Sequence, residues 1–354
     1  MSPRARWRHA GLPVLGACVL VVLATAAGGT VPTSRAHGRA QAASGLGAVI
    51  VEPSELGSSA GITAVYDFVL SAKKSVDMTM YELVDPAMVR DLVADDKRHV
   101  KVRVILDTNR EQSRNGPAFR TLRAGGVKVV WADTSYEATH QKTITVDGTE
   151  SLILSANLTE EYYSTTRDFG VFDHNQADVR AIEAVFAADF AHEPITPSNG
   201  SDLVWSPGSQ AQMLRVIDGA SHSLSIENEE MGDWTITDAL VAAARRGVKV
   251  EVTMTRDSSY DSDWRAIVSA GGHVHLYRDS VSDLYIHAKT TVADAGFNDQ
   301  NVYLGSINFS RASMDYNREL GIVTNDSAIV KDVNAVVTRD YSGCTAATDC
   351  SNYD

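Results

Sequence analysis

Two short segments of the sequence carry the same pair of reactive side chains. In HQKTITVD, which begins at His140, one residue separates a histidine from a lysine, and HAKTTVAD, which begins at His287, repeats that spacing. The β-branched residues that follow predict a strand, and alternate residues of a strand project from the same face. Each histidine should therefore point the same way as its lysine, Lys142 or Lys289. An imidazole beside an ammonium can attack an electrophile, move protons and neutralise an anion.

Further polar residues of matching types follow each segment. A serine and an asparagine come after the next apolar run, and an acid follows at the start of another. These residues are Ser155, Asn157 and Asp168 in the first copy, and Ser306, Asn308 and Glu319 in the second. Each copy thus offers one imidazole, one ammonium, one amide and one carboxylate.

Two such sets that face each other could cleave a phosphodiester. Displacement at phosphorus needs charge neutralisation, an aligned nucleophile and a proton for the departing alkoxide. The lysines and asparagines would hold the phosphate oxygens, one neutral histidine would form a phosphohistidine, and the other would protonate the leaving group. A carboxylate on the far nitrogen of each ring would fix its tautomer. Because the lysines supply the positive charge, we expect no metal and no other cofactor.

The surrounding sequence is duplicated as well. SVDMTMYEL at Ser75 matches SLSIENEEM at Ser223, and RDFGV at Arg167 matches RELGI at Arg318, about 150 residues later in each case. Alternating apolar runs are separated by helical stretches such as DPAMVRDLVADD and TITDALVAAARRG. Strands that alternate with helices predict an α/β fold with covered sheets, and the duplication predicts two homologous lobes with shared chemistry at their interface.

The doubled motif resembles the signature of the phospholipase D superfamily, His-x-Lys-x4-Asp present twice. This resemblance covers the chain after its N-terminal segment, and it implies a pseudo-dimer of two lobes, each a mixed β-sheet flanked by helices, with the site in the cleft between them. It implies that His140 is the nucleophile and His287 the general acid and base. Asp168 and Glu319 would orient the histidines; which acid serves which ring is left open.

The resemblance assigns two further sets of residues. The set that would bind phosphate is Lys142, Lys289, Asn157, Asn308, Ser155 and Ser306. Asp147 and Asp294, at the strand ends, would be structural supports.

The N-terminus predicts export. Three arginines precede the apolar run LPVLGACVLVVLATAA, which ends in small residues, as in a signal peptide. We predict a signal over 1–27 and a flexible spacer over 28–44; a retained apolar run that anchors the protein in a membrane is the alternative. The break HEPITPSNGSD predicts lobes over 45–197 and 198–354.

Cysteine use agrees with export. If Cys18 is removed with the signal, Cys344 and Cys350 remain, and an even pair in an exported chain most simply forms one disulfide, here pinning the C-terminal tail. Two free thiols are the alternative.

Net charge bears on the substrate. The formal charge is −13, and loss of the three signal arginines would take it to −16, which disfavours nucleic acid as a partner. We therefore expect a secreted, monomeric, metal-independent phosphodiesterase that hydrolyses phospholipid head groups at a membrane surface, or transfers the phosphatidyl group to an alcohol. A secreted nuclease and a non-catalytic phospholipid-binding protein are the alternatives. Tyr162, Tyr163 and Phe297 are candidates for lining the mouth of the site, and ordinary packing residues are the alternative.

Overall fold

The computed structural model describes residues 45–53, 61–281, 283–343 and 351–352. The predicted signal peptide, the spacer, Cys344 and Cys350 lie outside the described residues, so export and the disulfide remain predictions.

The N-terminal lobe is built on one mixed sheet with the strand order β1-β7-β6-β5-β2-β3-β4. Strands β2, β3 and β4 are parallel, and the other neighbours along this order are antiparallel. The strands are β1 (Leu46–Glu52), β2 (Ser75–Met80), β3 (Lys101–Leu106), β4 (Lys128–Trp131), β5 (Lys142–Val146), β6 (Glu150–Leu154) and β7 (Thr166–Asp173). The helices are α1 (Ile62–Leu70), α2 (Pro86–Lys97), α3 (Gln112–Gly125) and α4 (Gln176–Ala191).

The C-terminal lobe repeats this arrangement, in the order β16-β11-β10-β9-β13-β14-β15-β8. Its strands are β8 (Leu203–Ser206), β9 (Ser223–Asn228), β10 (Lys249–Thr255), β11 (His273–Tyr277), β12 (Tyr285–Ile286), β13 (Lys289–Ala293), β14 (Asn301–Gly305), β15 (Glu319–Thr324) and β16 (Ser351–Asn352). Its helices are α5 (Gln210–Gly219), α6 (Trp234–Arg245), α7 (Asp261–Ser269), α8 (Arg311–Asp315) and α9 (Ser327–Gly343). The prediction of two homologous α/β lobes, each with a mixed sheet flanked by helices, is confirmed. None of the helices in the described ranges is long and apolar enough to span a membrane.

Local sequence explains why the two most clearly predicted helices begin where they do. Asp85 accepts hydrogen bonds from the backbone N–H groups of Ala87 and Met88, and a proline occupies the first helical position of α2. Asp233 caps α6 in the same way, through Thr235 and Ile236. These side chains provide acceptors for N–H groups that have no partner within the helix.

The three largest apolar cores among the described residues hold the lobes. One lies between the N-terminal sheet and α1, α2 and α3, and a second between the C-terminal sheet and α5, α6 and α7. The third joins the lobes, because it includes Val171 of β7, Ile182 of α4, Ile322 of β15 and Val330 of α9. Burial of this shared apolar surface holds the two halves of the cleft in one arrangement.

The lobes also exchange backbone segments. Strand β12 of the C-terminal lobe pairs in parallel with β7 of the N-terminal lobe, through Tyr285 and Thr166. Reciprocally, the segment before β5 pairs with the segment before β15, and the His140 N–H donates to the Arg318 carbonyl at 2.9 Å.

Two buried ion pairs reinforce this exchange. Arg167 of β7 reaches Asp340 of α9, and Arg318, just before β15, reaches Asp189 of α4 with Nε 2.9 Å from Oδ2. Both arginine side chains are almost completely buried, so their charges depend on these carboxylates. The repeated arginines therefore fasten each lobe to the last helix of the other.

Asp189→Asn should destabilise the whole protein. Arg318 would keep its buried charge opposite a neutral amide, because asparagine retains an acceptor oxygen but no negative charge, so we expect the free energy of unfolding to fall by about 3 kcal/mol. Urea unfolding followed by circular dichroism measures this. Asp332→Asn, on the exposed side of the equivalent helix α9, is the matched control and should change little. An equal loss in both variants would contradict the role of the ion pair.

Candidate active site

The two predicted histidines lie at equivalent places in the two sheets. His140 and His287 stand two residues before the first residues of β5 and β13, Lys142 and Lys289, and each histidine is about nine-tenths buried, with 8% exposed. Both inner strands are buried along their whole length, KTITV in β5 and KTTVA in β13. Packing on both faces of these strands fixes the direction in which the motif side chains point.

Each histidine is held by a carboxylate from the other lobe. Nδ1 of His140 lies 2.9 Å from Oε2 of Glu319, and Nδ1 of His287 lies 2.7 Å from Oδ1 of Asp168. The pairing that the sequence left open is therefore crossed. Neither His140 nor His287 takes the carboxylate at its Nδ1 from its own lobe.

Burial and neighbouring charges shift both pKa values in the pair of His140 and Glu319. Burial lowers the pKa of His140 below its usual value, although Glu319 works in the opposite direction. Burial alone would raise the pKa of Glu319, but His140 and Lys142 hold it below its usual range. A neutral imidazole beside an ionised carboxylate is the state that a nucleophilic histidine needs.

The serines of the two copies share one kind of partner and differ in another. The hydroxyls of Ser155 and Ser306 each lie 3.3 Å from an equivalent backbone carbonyl, that of Phe169 or Leu320. Ser155 also donates to Oδ1 of Asp168 at 2.6 Å and so supports the acid that holds His287. Both serines are buried, and phosphate binding by them remains a prediction.

The lysines fold back onto their own histidines. Nζ of Lys142 donates to the His140 carbonyl at 2.6 Å, and Nζ of Lys289 donates to the His287 carbonyl at 2.5 Å. Burial lowers the pKa of Lys142 to about 7, and the positive charge of Lys289 contributes to that shift. Two ammonium groups that affect each other in this way can share one bound anion.

The asparagines retain unused hydrogen-bonding capacity. The buried Oδ1 atoms of Asn157 and Asn308 have no hydrogen-bond partner among the described residues. An amide oxygen only accepts hydrogen bonds, as phosphate oxygens do, so binding of phosphate would use the Nδ2 groups of these side chains and remains a prediction.

The aspartates of the two motifs support the turns at the far ends of the strands. Asp147 has a φ of 55° and accepts hydrogen bonds from the backbone N–H groups of Lys73, Lys74 and Ser75. Asp294, with a φ of 51°, accepts from residues 221–223 in the same way. This is the geometry expected of a structural support.

One acid in the cleft was not predicted. Oε2 of Glu229 lies 2.9 Å from Nζ of Lys289, 3.4 Å from Nδ2 of Asn308 and 3.6 Å from Nε2 of His287. Burial would raise its pKa, but Lys289 and His287 hold it well below the usual range. The aligned repeats contained the signal, because SLSIENEEM places Glu229 opposite Tyr81 of SVDMTMYEL.

The three aromatic candidates for the mouth of the site lie in two different places. Phe297 follows Asp294 at the end of β13 that is remote from His287, and it stacks on His222 with ring centroids 3.7 Å apart. It therefore cannot line the cleft. Tyr162 and Tyr163 lie in the segment between Asn157 and β7, where the Tyr163 hydroxyl donates to Asp85 at 2.8 Å.

Anion binding should depend on the charge of Lys142. Because its pKa is lowered to about 7, the ammonium is present below that pH and is lost above it. We expect sulfate, whose own charge is constant in this range, to bind more weakly at about pH 9 than at about pH 6. Isothermal titration calorimetry measures the affinities. Lys142→Arg should remove most of this dependence, since arginine stays charged; an equally steep decline in that variant would refute the assignment.

Comparison with known proteins supports one family. The family described as "Cardiolipin synthase, PLD-like domain" matches twice, over residues 65–190 and 213–341. A cardiolipin synthase of Clostridium perfringens is 22% identical over 329 residues, which cover 78% of this chain and 67% of that protein. A mitochondrial cardiolipin hydrolase of Xenopus laevis is 30% identical over 117 residues, which cover 33% of this chain and 55% of that protein.

Solved structures share the two-lobed fold. A phosphatidylserine synthase of Haemophilus influenzae superposes with a TM-score of 0.59 at 13% identity, covering 80% of this chain and 86% of that one. A polyphosphate kinase of Porphyromonas gingivalis gives a TM-score of 0.64 at 15% identity, but this chain spans only 46% of that structure. With both lobes matched by the family domain, and with the two motifs facing each other across the cleft, this chain belongs to the phospholipase D superfamily.

Proposed function

We propose that this protein is a phospholipase D-type phosphodiesterase that releases the head group of a glycerophospholipid, or replaces it with another alcohol, through a phosphohistidine. The observation that carries the proposal is the crossed pairing of His140 with Glu319 and of His287 with Asp168. Each carboxylate engages Nδ1, so Nε2 is the reactive nitrogen of each ring.

The first chemical step uses the two histidines in different roles. Nε2 of His140 attacks phosphorus as the bond to the head-group oxygen breaks, and His287 gives its proton to that oxygen. Lys142 and Lys289 offset the charge on the phosphoryl oxygens. The products are the free head-group alcohol and a phosphatidyl group bonded to His140.

The second step restores the enzyme. His287, now neutral, takes a proton from water or from an acceptor alcohol, whose oxygen attacks phosphorus while the bond to His140 breaks. Water gives a phosphatidic acid, and an alcohol gives a new phosphodiester. His287 moves the proton in both steps, and Lys142 and Lys289 supply the positive charge.

Two features support a lipid substrate over nucleic acid. The relatives named above include proteins described as cardiolipin synthase, cardiolipin hydrolase and phosphatidylserine synthase. The formal charge of −13 is unfavourable for a polyanion. We further propose that the N-terminal segment directs export and that the enzyme acts as a monomer at a membrane surface.

The test supplies lipid and nucleic acid in parallel, both in excess EDTA. The protein without residues 1–27 is incubated with phosphatidylcholine vesicles plus ethanol, with phosphatidylglycerol vesicles, and with plasmid DNA. We expect choline release and phosphatidylethanol formation, reduced about a thousandfold or more in His140→Ala and in His287→Ala. His273→Ala, at an exposed position of β11, is the matched control and should keep full activity.

Each other outcome has a definite meaning. Nicked plasmid with unchanged lipid would replace the proposal with a nuclease. Binding of vesicles without turnover of any substrate would favour the non-catalytic alternative. Full lipid turnover in either active-site histidine variant would contradict the mechanism.

A further inference from the structure

The two halves of the site differ most at one position. Tyr81 follows β2 and packs its ring against His140, with ring centroids 4.5 Å apart. At the equivalent place after β9, Glu229 directs a carboxylate toward Lys289 and His287. A neutral aromatic ring in one half thus corresponds to a negative charge in the other.

The Glu229 carboxylate uses groups that the phosphate also needs. Its Oε2 atom lies 2.9 Å from Nζ of Lys289 and 3.4 Å from Nδ2 of Asn308. A phosphodiester that binds these groups places its own negative charge beside this carboxylate. The ammonium of Lys289 then interacts with two anions, the phosphate and the carboxylate. Like charges in a poorly hydrated cleft repel strongly. A positive charge on the substrate would restore the balance.

The position of Glu229 indicates which part of the substrate carries that charge. Oε2 lies 3.6 Å from Nε2 of His287, the nitrogen that faces the departing oxygen in the proposed mechanism. The head-group alcohol therefore leaves next to Glu229, whereas the diacylglycerol part lies on the other side of phosphorus. A cationic substituent on the head group would meet the carboxylate.

Two tyrosines lie near the same carboxylate. The Tyr285 hydroxyl donates to Oε1 of Glu229 at 3.0 Å, and the ring of Tyr260 lies against Gly232 in the turn that follows Glu229. Burial raises the pKa of both tyrosines. The charge of Glu230, and then that of Glu229, raises the pKa of Tyr260 further, and the charge of Glu229 raises that of Tyr285. A carboxylate bordered by neutral aromatic rings is a favourable environment for an organic ammonium ion.

We propose that Glu229, with Tyr260 and Tyr285, binds the ammonium group of an amino-alcohol head group such as choline or ethanolamine. This inference rests on the proposed function, because it assigns the head group of that substrate. It makes Glu229 a specificity residue, whose loss changes the preference between substrates and not only the overall rate.

Binding of soluble head-group analogues tests the inference without requiring turnover. Isothermal titration calorimetry compares glycerophosphocholine with glycerophosphoglycerol, which carries the same phosphodiester but no positive charge. We expect the wild-type protein to bind the choline compound about tenfold more tightly or better, and Glu229→Gln to lose that preference while binding the glycerol compound at least as well. Glu193→Gln removes an equal charge from an exposed residue of the N-terminal lobe and should keep the wild-type preference.

Any of three results would overturn the inference: no preference in the wild type, a preference that persists in Glu229→Gln, or equal weakening of both compounds in that variant, which would indicate a purely structural role. The assay remains distinct from the test of the proposed function. Selective binding without lipid turnover would support the ammonium site and count against the enzyme, and turnover without selectivity would do the reverse.

Discussion

The active site depends on a reciprocal exchange at the starts of β7 and β15. In each lobe, two consecutive residues at this point reach into the other lobe. The arginine, Arg167 or Arg318, forms a buried ion pair with the last helix of the opposite lobe. The acid that follows, Asp168 or Glu319, orients the opposite histidine. Attachment of the lobes and alignment of the imidazoles are thus consequences of the same backbone pairing.

This exchange explains why the duplicated sequence forms one site. A lobe that folded alone would leave Nδ1 of its active-site histidine without its carboxylate and its arginine charge without a partner, both costly in a buried position. The shared apolar core supplies the non-directional part of the attachment, and the ion pairs and backbone pairing fix its register. The two copies have nevertheless diverged where their chemistry should differ. Tyr81 and Glu229 give the two histidines unlike surroundings.

Much of the fold and of the site could be predicted from the sequence, because repetition made weak patterns informative. The alternation of strands and helices, and the equivalence of His140 with His287, follow from aligned segments. The crossed pairing could not be predicted, since spacing along the chain does not say which lobe a strand end faces. Glu229 was visible in the alignment, but only the placement of β9 beside β13 brings it to Lys289. The sequence left Phe297 open between the mouth and ordinary packing, because it follows the motif along the chain, and the structure places it at the opposite end of the strand.

The most direct test of this account is nuclear magnetic resonance of the imidazole rings in protein with 15N-labelled histidine. A hydrogen bond from Nδ1–H to a carboxylate moves the proton signal strongly downfield, and each ring should show one such signal. We predict that Glu319→Gln removes the downfield character of the His140 signal and leaves that of His287, whereas Asp168→Asn does the opposite. Loss of the His287 signal in Glu319→Gln would contradict the crossed arrangement. Retention of both downfield signals in both variants would contradict it as well.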